Sequence, residues 1–66
     1  MKLVIITFED NNVVLTEGLM QMLDKQIAAN AFIFEVEYEE IEMLISEIEE
    51  VIDSPIVEVI VEDDNE

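Results

Sequence analysis

The chain of 66 residues contains no cysteine and no histidine, and only two of its side chains are basic. Without cysteine it can form neither a disulfide framework nor a thiolate metal site. Without histidine it lacks the usual general base near neutral pH, and a zinc site is not expected. It also has no Gly-x-Ser-x-Gly or Walker-type loop. These absences argue against an enzyme and against a bound metal or cofactor.

Two further possibilities depend on carboxylates alone. Paired carboxylates can hydrolyse glycosides, but a chain this short is not expected to form a cleft that raises one pKa and excludes water. The loop at residues 9–12 and the acidic end from Glu62 are rich in oxygen ligands. Neither has the calcium-loop pattern of spaced aspartates, a glycine and a final glutamate. We therefore expect no catalytic residue, no metal site and no cofactor.

Long hydrophobic runs are absent as well. The apolar start of the chain stops at Glu9 and Asp10 without a small-residue cleavage site, so it is too short for a signal peptide. No stretch approaches the roughly 18 apolar residues of a membrane span. An acidic chain is also repelled by anionic lipid surfaces. We expect a cytoplasmic protein without a membrane partner.

What the chain does have is a large excess of acid on an apolar background. It carries 18 Asp and Glu residues against two Lys, a formal net charge of −16, and yet 52% of its residues are hydrophobic. Disordered acidic segments are poor in the isoleucine and valine that abound here. The composition predicts one folded domain over residues 1–61, followed by a disordered acidic tail over residues 62–66. Because self-repulsion opposes compaction, we interpret the charge as maintained for a function.

The first half of the chain predicts two strands and a helix. Lys2 to Phe8 is a continuous β-branched run, which is typical of a buried strand. After the turn at residues 9–12, Val13 to Leu15 is interpreted as a second strand that closes a hairpin. The alternative is a helix that already starts at Val13. In either case Thr16 is a plausible helix N-cap, and Asn30 is the predicted end of that helix.

The second half alternates strand, helix and strand. Ala31 to Tyr38 has a period of two, which places its aromatic side chains inward. Glu39 to Asp53 has helical periodicity, with an aliphatic stripe on one side, and the proline at position 55 ends it. Ile56 to Val61 is the last strand. The element order β-β-α-β-α-β predicts a two-layer α+β fold, in which two helices pack on one face of a small, mainly antiparallel sheet.

The uncovered face of this sheet is expected to be apolar. Its predicted members are Val4, Ile6 and Phe8, or their alternates Leu3 and Ile5, together with Ile33, Ile56 and Ile60. A small protein rarely leaves such a patch exposed to water. Homodimerisation would cover it, and so would a groove for another partner; the sequence does not separate the two.

The opposite side of the second helix is the candidate functional surface. We call the following residues the acidic wall: Glu39, Glu40, Glu42, Met43, Glu47, Glu49, Glu50 and Asp53. Residues three or four apart on a helix lie about 5–6 Å apart at Cβ, and each DNA strand carries one phosphate per about 3.4 Å of axis. The two charge densities are of the same order. An ordinary polar helix face would mix signs, whereas this one has no lysine. Met43 adds an adaptable apolar contact at its centre.

In size, charge and a carboxylate-rich helix beside a small sheet, the chain resembles the small phage-encoded acidic inhibitors that imitate DNA. Uracil-DNA glycosylase inhibitors, anti-restriction proteins and anti-CRISPR proteins belong to this class. The resemblance covers general features and no motif, so no site residue is transferred. It implies a phage-derived inhibitor whose partner is a basic, nucleic-acid-binding protein.

Two hypotheses follow from the sequence. The first is an inhibitory protein that blocks a host enzyme or defence complex by DNA mimicry. The second is a non-catalytic homodimeric interaction module, or an antitoxin-like partner of one basic protein. Direct binding of nucleic acid is disfavoured by the sign of the charge.

Overall fold

A computed structural model describes residues 1–63 of the chain. Its strands are β1 (Lys2–Phe8), β2 (Leu23–Ala28), β3 (Ala31–Val36) and β4 (Ile56–Asp63). Its α-helices are α1 (Glu17–Met22) and α2 (Ile41–Val51), and a short 3-10 helix (Tyr38–Glu40) leads into α2. The order along the described chain is therefore β-α-β-β-α-β.

The four strands form one antiparallel sheet in the order β2-β3-β1-β4. β1 and β3 are the interior strands, and β2 and β4 are the edges. The element order is that of the ferredoxin-like split β-α-β arrangement. A fold shared by many proteins does not assign a function.

Both helices contribute to one hydrophobic core on one face of the sheet. The buried cluster contains Val4, Ile6 and Phe8 from β1, Phe32, Phe34 and Val36 from β3, Leu19 from α1, and Leu44, Ile48 and Ile52 from α2 and its C-cap. Burying one such side chain contributes about 1.5–3 kcal/mol. The predicted two-layer α+β fold with a small antiparallel sheet is confirmed.

The other face of the sheet is only partly covered. Val4 pairs with Phe34 in the register, so the cross-strand neighbours on the open face are Ile33, Ile5 and Ile60. Of the two predicted sets, the open face therefore carries Leu3 and Ile5, and Val4, Ile6 and Phe8 are in the core. Ile56 was wrongly expected on the open face. An irregularity between Thr7 and Phe8 shifts the register there, and Ile56 packs against the core.

The predicted second strand at Val13–Leu15 is wrong, and so is its helical alternative. Residues 12–16 are neither strand nor helix. Both sides of β1 are occupied by β3 and β4, so β1 has no free edge to which this segment could pair. Val13 and Leu15 instead pack against the core from the loop. Thr16 is the N-cap of α1, as predicted: its Oγ1 accepts a hydrogen bond from the Leu19 N–H at 3.3 Å.

The first helix is also shorter than predicted. It ends at Met22, and the next six residues form β2, which pairs with β3 in a hairpin. Helix propensity is a weak preference that tertiary pairing overrides; here the free side of β3 supplies that pairing. Asn30 lies in the hairpin turn and not at a helix end. Its Nδ2 donates to the Phe8 carbonyl at 2.8 Å, while its own carbonyl accepts from the Phe8 N–H at 2.7 Å.

Three predicted boundaries in the second half need correction. β3 ends at Val36, and Tyr38 is 71% exposed in the 3-10 helix instead of pointing inward. Helix α2 covers Ile41–Val51, so it is shorter than the predicted span from Glu39 to Asp53. β4 continues through Asp63 because Glu62 and Asp63 pair with β1, so the first two residues of the predicted tail belong to the sheet. Residues 64–66 of that tail lie outside the described residues.

Candidate protein-binding surface

Helix α2 forms because its sequence separates apolar and acidic side chains at helical spacing. Leu44 and Ile48 are fully buried against the sheet, and Ile52 at the C-cap adds a third buried contact. At the other end, Glu40 Oε1 accepts a hydrogen bond from the Glu37 N–H at 3.1 Å, which closes the 3-10 helix. Burial of one face therefore fixes which side chains of α2 face water.

The structure places the eight residues of the acidic wall on three consecutive segments. Glu39 and Glu40 belong to the 3-10 helix, the next five to α2, and Asp53 follows the helix end. Seven of the eight are exposed, and Glu47 is half-buried. Whether they bind a partner stays a prediction, but their exposure makes them available for contact.

Spacing and contacts divide the acidic wall into two rows. The β4-side row contains Glu39, Glu42, Glu49 and Asp53, with Ser46 in the gap between Glu42 and Glu49. The α1-side row contains Glu40, Met43, Glu47 and Glu50. Up to the end of α2, successive members of each row, counting Ser46, are three or four residues apart, which is the spacing of neighbours on a helix surface. Asp53 follows the extended C-cap Ile52, so it lies beyond the helical part of its row.

The β4-side row borders a groove between α2 and the edge of the sheet. Glu39 and Glu42 line this groove together with Tyr38, Ile41 and Val61, and its volume is about 460 Å³. At the other end of the row, Asp53 lines a second recess of about 570 Å³, formed by residues 10–14 and 51–54. The row therefore follows α2 from one depression in the surface to another.

The α1-side row meets the first helix. The Oε2 of Glu47 lies 3.5 Å from the position that a Cβ would occupy on Gly18. That is an ordinary van der Waals distance, so the contact with Glu47 does not by itself require a glycine at this position, where glycine costs about 1 kcal/mol relative to alanine. Glu47 contacts α1, so it is the least available of the predicted contact residues. Met43 is 58% exposed in the same row.

The helix dipole acts differently on the two ends of the wall. Glu39, Glu40 and Glu42 lie in the first turns of their helices, where a negative charge is favourable. Glu49 and Glu50 lie near the C-terminal end of α2, and no basic residue occupies its last turn. An acid there is unfavourable by about 0.3–1 kcal/mol. The charge at this end of the helix therefore lowers the stability of the fold.

One of the two lysines lies near the groove, and sequence reasoning did not anticipate its role. Lys2 on β1 donates to the carboxylate of Asp63 on β4, and its Nζ lies 5.7 Å from the centroid of the Tyr38 ring. This hydrogen bond from Lys2 and the attraction of its charge lower the pKa of Asp63. Lys2 thus links the end of β4 to the 3-10 helix beside the groove.

The exposure of the β4 valines was also missed. Val57, Val59 and Val61 are between 39% and 58% exposed, whereas Ile60, which was expected on the uncovered face, is 38% exposed. The alternation of valine and glutamate in the sequence predicted a half-buried strand. The position of this strand at the sheet edge, beyond the reach of α2, could not be predicted from that alternation.

Residues 1–63 contain neither a metal-binding cluster nor a membrane-spanning helix. They contain no group of three or more potential metal-ligating side chains. Their helices are all too short or too polar to cross a membrane. Comparison with protein-family models, with curated proteins and with solved structures gave no significant match.

Proposed function

We propose that this chain is an acidic inhibitory binding protein of phage origin, like the class it resembles, and that it blocks a basic nucleic-acid-binding protein by imitating DNA. The observation that supports this most directly is the C-terminal end of α2. Glu49, Glu50 and Asp53 are exposed there, and no basic residue occupies the last turn of the helix. Selection for stability alone would favour lysine or arginine at such a helix end.

The dimensions of the acidic wall support the same proposal. The eleven residues of α2 extend for about 16 Å, a length over which one DNA strand carries about five phosphates. Over the same length α2 presents four carboxylates from the two rows, those of Glu42, Glu47, Glu49 and Glu50. Because the buried face of α2 holds these carboxylates in place, binding does not require the ordering that a flexible acidic tail would undergo.

The expected mechanism is electrostatic capture followed by close contact. A net charge of −16 attracts a basic groove over a long range and speeds association, and added salt weakens this attraction. Met43 then supplies an apolar contact within the charged interface. The proposal gives the chain no catalytic role, no cofactor and no nucleic-acid ligand, and it places the chain in the cytoplasm, where such targets act.

The test compares two triple variants that change the net charge equally. E42K/E49K/D53K reverses three of the four acids of the β4-side row, and E9K/E17K/D24K reverses three exposed acids outside the acidic wall and its two recesses. Each protein is immobilised and incubated with bacterial lysate, and bound proteins are eluted with duplex DNA or with polyglutamate. We expect wild type and the control triple to retain proteins that DNA elutes at lower concentration than polyglutamate does. We expect the row variant to retain at least tenfold less.

Two results would contradict the proposal. Equal capture by the two triple variants would show that net charge alone attracts the partners. Equal elution by DNA and polyglutamate would show that the captured proteins do not bind through a nucleic-acid site.

The open face of the sheet supports a second candidate function. Ile33, Ile5 and Ile60 are cross-strand neighbours on this face, and Ile60 is 38% exposed. If the chain is a homodimeric interaction module, or an antitoxin-like partner of one basic protein, the second copy or that protein would cover these isoleucines. Light scattering that gives the mass of a dimer for wild type and of a monomer for I5E/I33E would favour the homodimer. A bound partner that DNA does not displace would favour the dedicated partner.

A further inference from the structure

The edge strand β4 has a free side. In the sheet of residues 1–63 it pairs with β1 on one side, and no described strand lies on the other. Its eight residues extend for about 27 Å. On the free side, every other residue directs its backbone N–H and C=O away from the sheet, where they can pair with another extended chain.

The side chains of β4 differ between the two faces of the sheet. Val59 and Val61 pair with Ile6 and Val4, whose side chains are in the core, so these valines lie on the helix-covered face. They are nevertheless 39% and 45% exposed, because α2 does not extend over this edge. Glu58 and Glu62 lie on the open face, where both are exposed.

The groove beside α2 adjoins β4 on its helix-covered face. Val61 lines it with Tyr38 and Ile41, and Glu39 and Glu42 belong to the same lining. A chain that paired with β4 would therefore place alternate side chains on two unlike surfaces. One set would lie next to Val59, Val61 and the groove, and the other next to Glu58 and Glu62.

We propose that β4 is a strand-pairing site for an extended basic segment of another protein. Backbone hydrogen bonds to the free edge supply affinity, and the two faces supply specificity. Apolar side chains of the segment lie along Val59 and Val61, and its lysines or arginines lie along Glu58 and Glu62. The recognised sequence alternates apolar and basic residues.

The charge of the chain selects this occupant over a second copy. Two copies would bring a formal charge of −16 against another of −16. An antiparallel pairing of two β4 strands centred on Ile60 would also set Glu58 of one copy opposite Glu62 of the other, and like charges directly opposite are destabilising. A basic segment removes both repulsions.

This site borders the acidic wall at Glu39 and Glu42, which line the groove with Val61, but it does not depend on those carboxylates. Both proposals expect a basic partner, but strand pairing depends on the backbone of β4 and on its valines. An experiment with defined peptides can therefore succeed or fail independently of DNA mimicry.

The experiment titrates the protein with two peptides of equal charge. One contains four Val-Lys repeats and can form a strand. The other is a methylated control with the same residues, in which every backbone nitrogen carries a methyl group, so it has no N–H to donate to the edge strand. We expect the Val-Lys peptide to bind at least tenfold more tightly by calorimetry. We also expect it to slow hydrogen exchange at β4 amides of the wild-type protein, which locates the peptide without any substitution.

Two double variants with the same change of charge complete the test. V59K/V61K adds lysines to the edge, and V14K/M20K adds them at exposed apolar positions outside β4. We expect the first to lose the preference for the Val-Lys peptide and the second to keep it. Equal binding of both peptides to wild type, or protection confined to amides outside β4, would overturn the proposal. So would a concentration-dependent dimer whose β4 amides are already protected without peptide.

Discussion

The two edges of the sheet are built differently. β2 has six residues, two irregularities in its pairing with β3, and the sequence Asp24-Lys25-Gln26 at its centre. β4 has eight residues, one irregularity near its start, and mostly valine and isoleucine. Short length, charged side chains and bulges are the devices that prevent an edge strand from pairing with another chain. β2 has all three, whereas β4 is long, and its central residues continue without a bulge.

This difference indicates which edge is available for binding. Both strands are edges of the same sheet and are exposed to water. Folding therefore does not require either of them to carry exposed apolar side chains. Val61 of β4 lines the groove along α2, whereas β2 is at the opposite edge of the sheet, with β3 and β1 between it and β4. The chain thus has one protected edge and one edge suited to a partner.

The largest expected effect is a loss of folding stability. Comparing a buried residue of β3 with an exposed residue of β4 tests whether the exposed residues are needed for folding. Phe34 is fully buried on β3, where it pairs with Leu23 of β2 and Val4 of β1. Phe34→Ala should lower the free energy of unfolding by about 3–5 kcal/mol, which is most of the stability of a domain this small. Val61→Ala, at a position that is 45% exposed, should cost about 1 kcal/mol or less. Urea denaturation of both variants measures the two losses.

A loss of several kcal/mol for Val61→Ala would contradict the comparison. It would show that the Val61 side chain stabilises the fold and is not free to contact a partner. Circular dichroism of Phe34→Ala at low temperature, before denaturant is added, shows whether enough folded protein remains for the measurement.

The layers of this fold could be predicted from the sequence because strong periodicity decides them. The aliphatic stripe of α2 and the alternation in β3 each place their residues on the core side without tertiary information. The segment from Leu23 to Ala28 could not be assigned in this way. Its apolar residues also fit the stripe of a helix, and only the free side of β3 makes it a strand. The prediction of a strand at Val13–Leu15 was wrong for the opposite reason: both sides of β1 are already occupied, so this segment has no strand to pair with.

The candidate site could be predicted only in part for a similar reason. Helical spacing alone identified the exposed acids of α2, because a buried stripe determines the opposite face. It did not show that Glu47 contacts α1 near Gly18, or that Glu39 and Glu42 share a groove with Val61. Those relations join residues that are far apart in the chain. They depend on the strand order, which the sequence did not specify.

The next prediction concerns a double substitution that makes the centre of β2 apolar, like that of β4. Asp24→Val with Lys25→Val removes one negative and one positive charge, so the formal net charge stays at −16. If charged side chains protect this edge, the double variant should gain a second site for the Val-Lys peptide. We expect its affinity for that site to rise by about tenfold, which corresponds to about 1.4 kcal/mol. Hydrogen exchange at β2 amides measures the gain.

The matched control is Asp24→Asn with Lys25→Gln, which removes the same charges but leaves the strand polar. It should gain no site. If the valine variant also gains none, then the bulges of β2 and not its charges protect this edge. The difference between β2 and β4 would then lie in their backbone geometry.

The smallest expected effect concerns the end of β4 next to Lys2. Asp63 is exposed, and its pKa is lowered mainly by the hydrogen bond from Lys2 and then by the attraction of that charge. A lowered folded-state pKa means that the ionised carboxylate stabilises the fold at neutral pH. This contribution is lost as the pH falls below the ordinary value of 3.8 and through the folded-state pKa. Asp63→Asn should therefore melt slightly below wild type at pH 7.

Asp24→Asn on β2 is the control, because it removes one exposed strand carboxylate from the other edge and relieves the same overall repulsion. Asp63→Asn should melt below this control at neutral pH. The gap should close in about 1 M salt, where the screening length falls to about 3 Å, and again below the folded-state pKa of Asp63. If the two variants melt together at pH 7 and low salt, Lys2 does not hold the end of β4. The free edge would then be anchored to the sheet by its pairing with β1 alone, and a bound segment would have to order the last residues of the strand as it pairs with them.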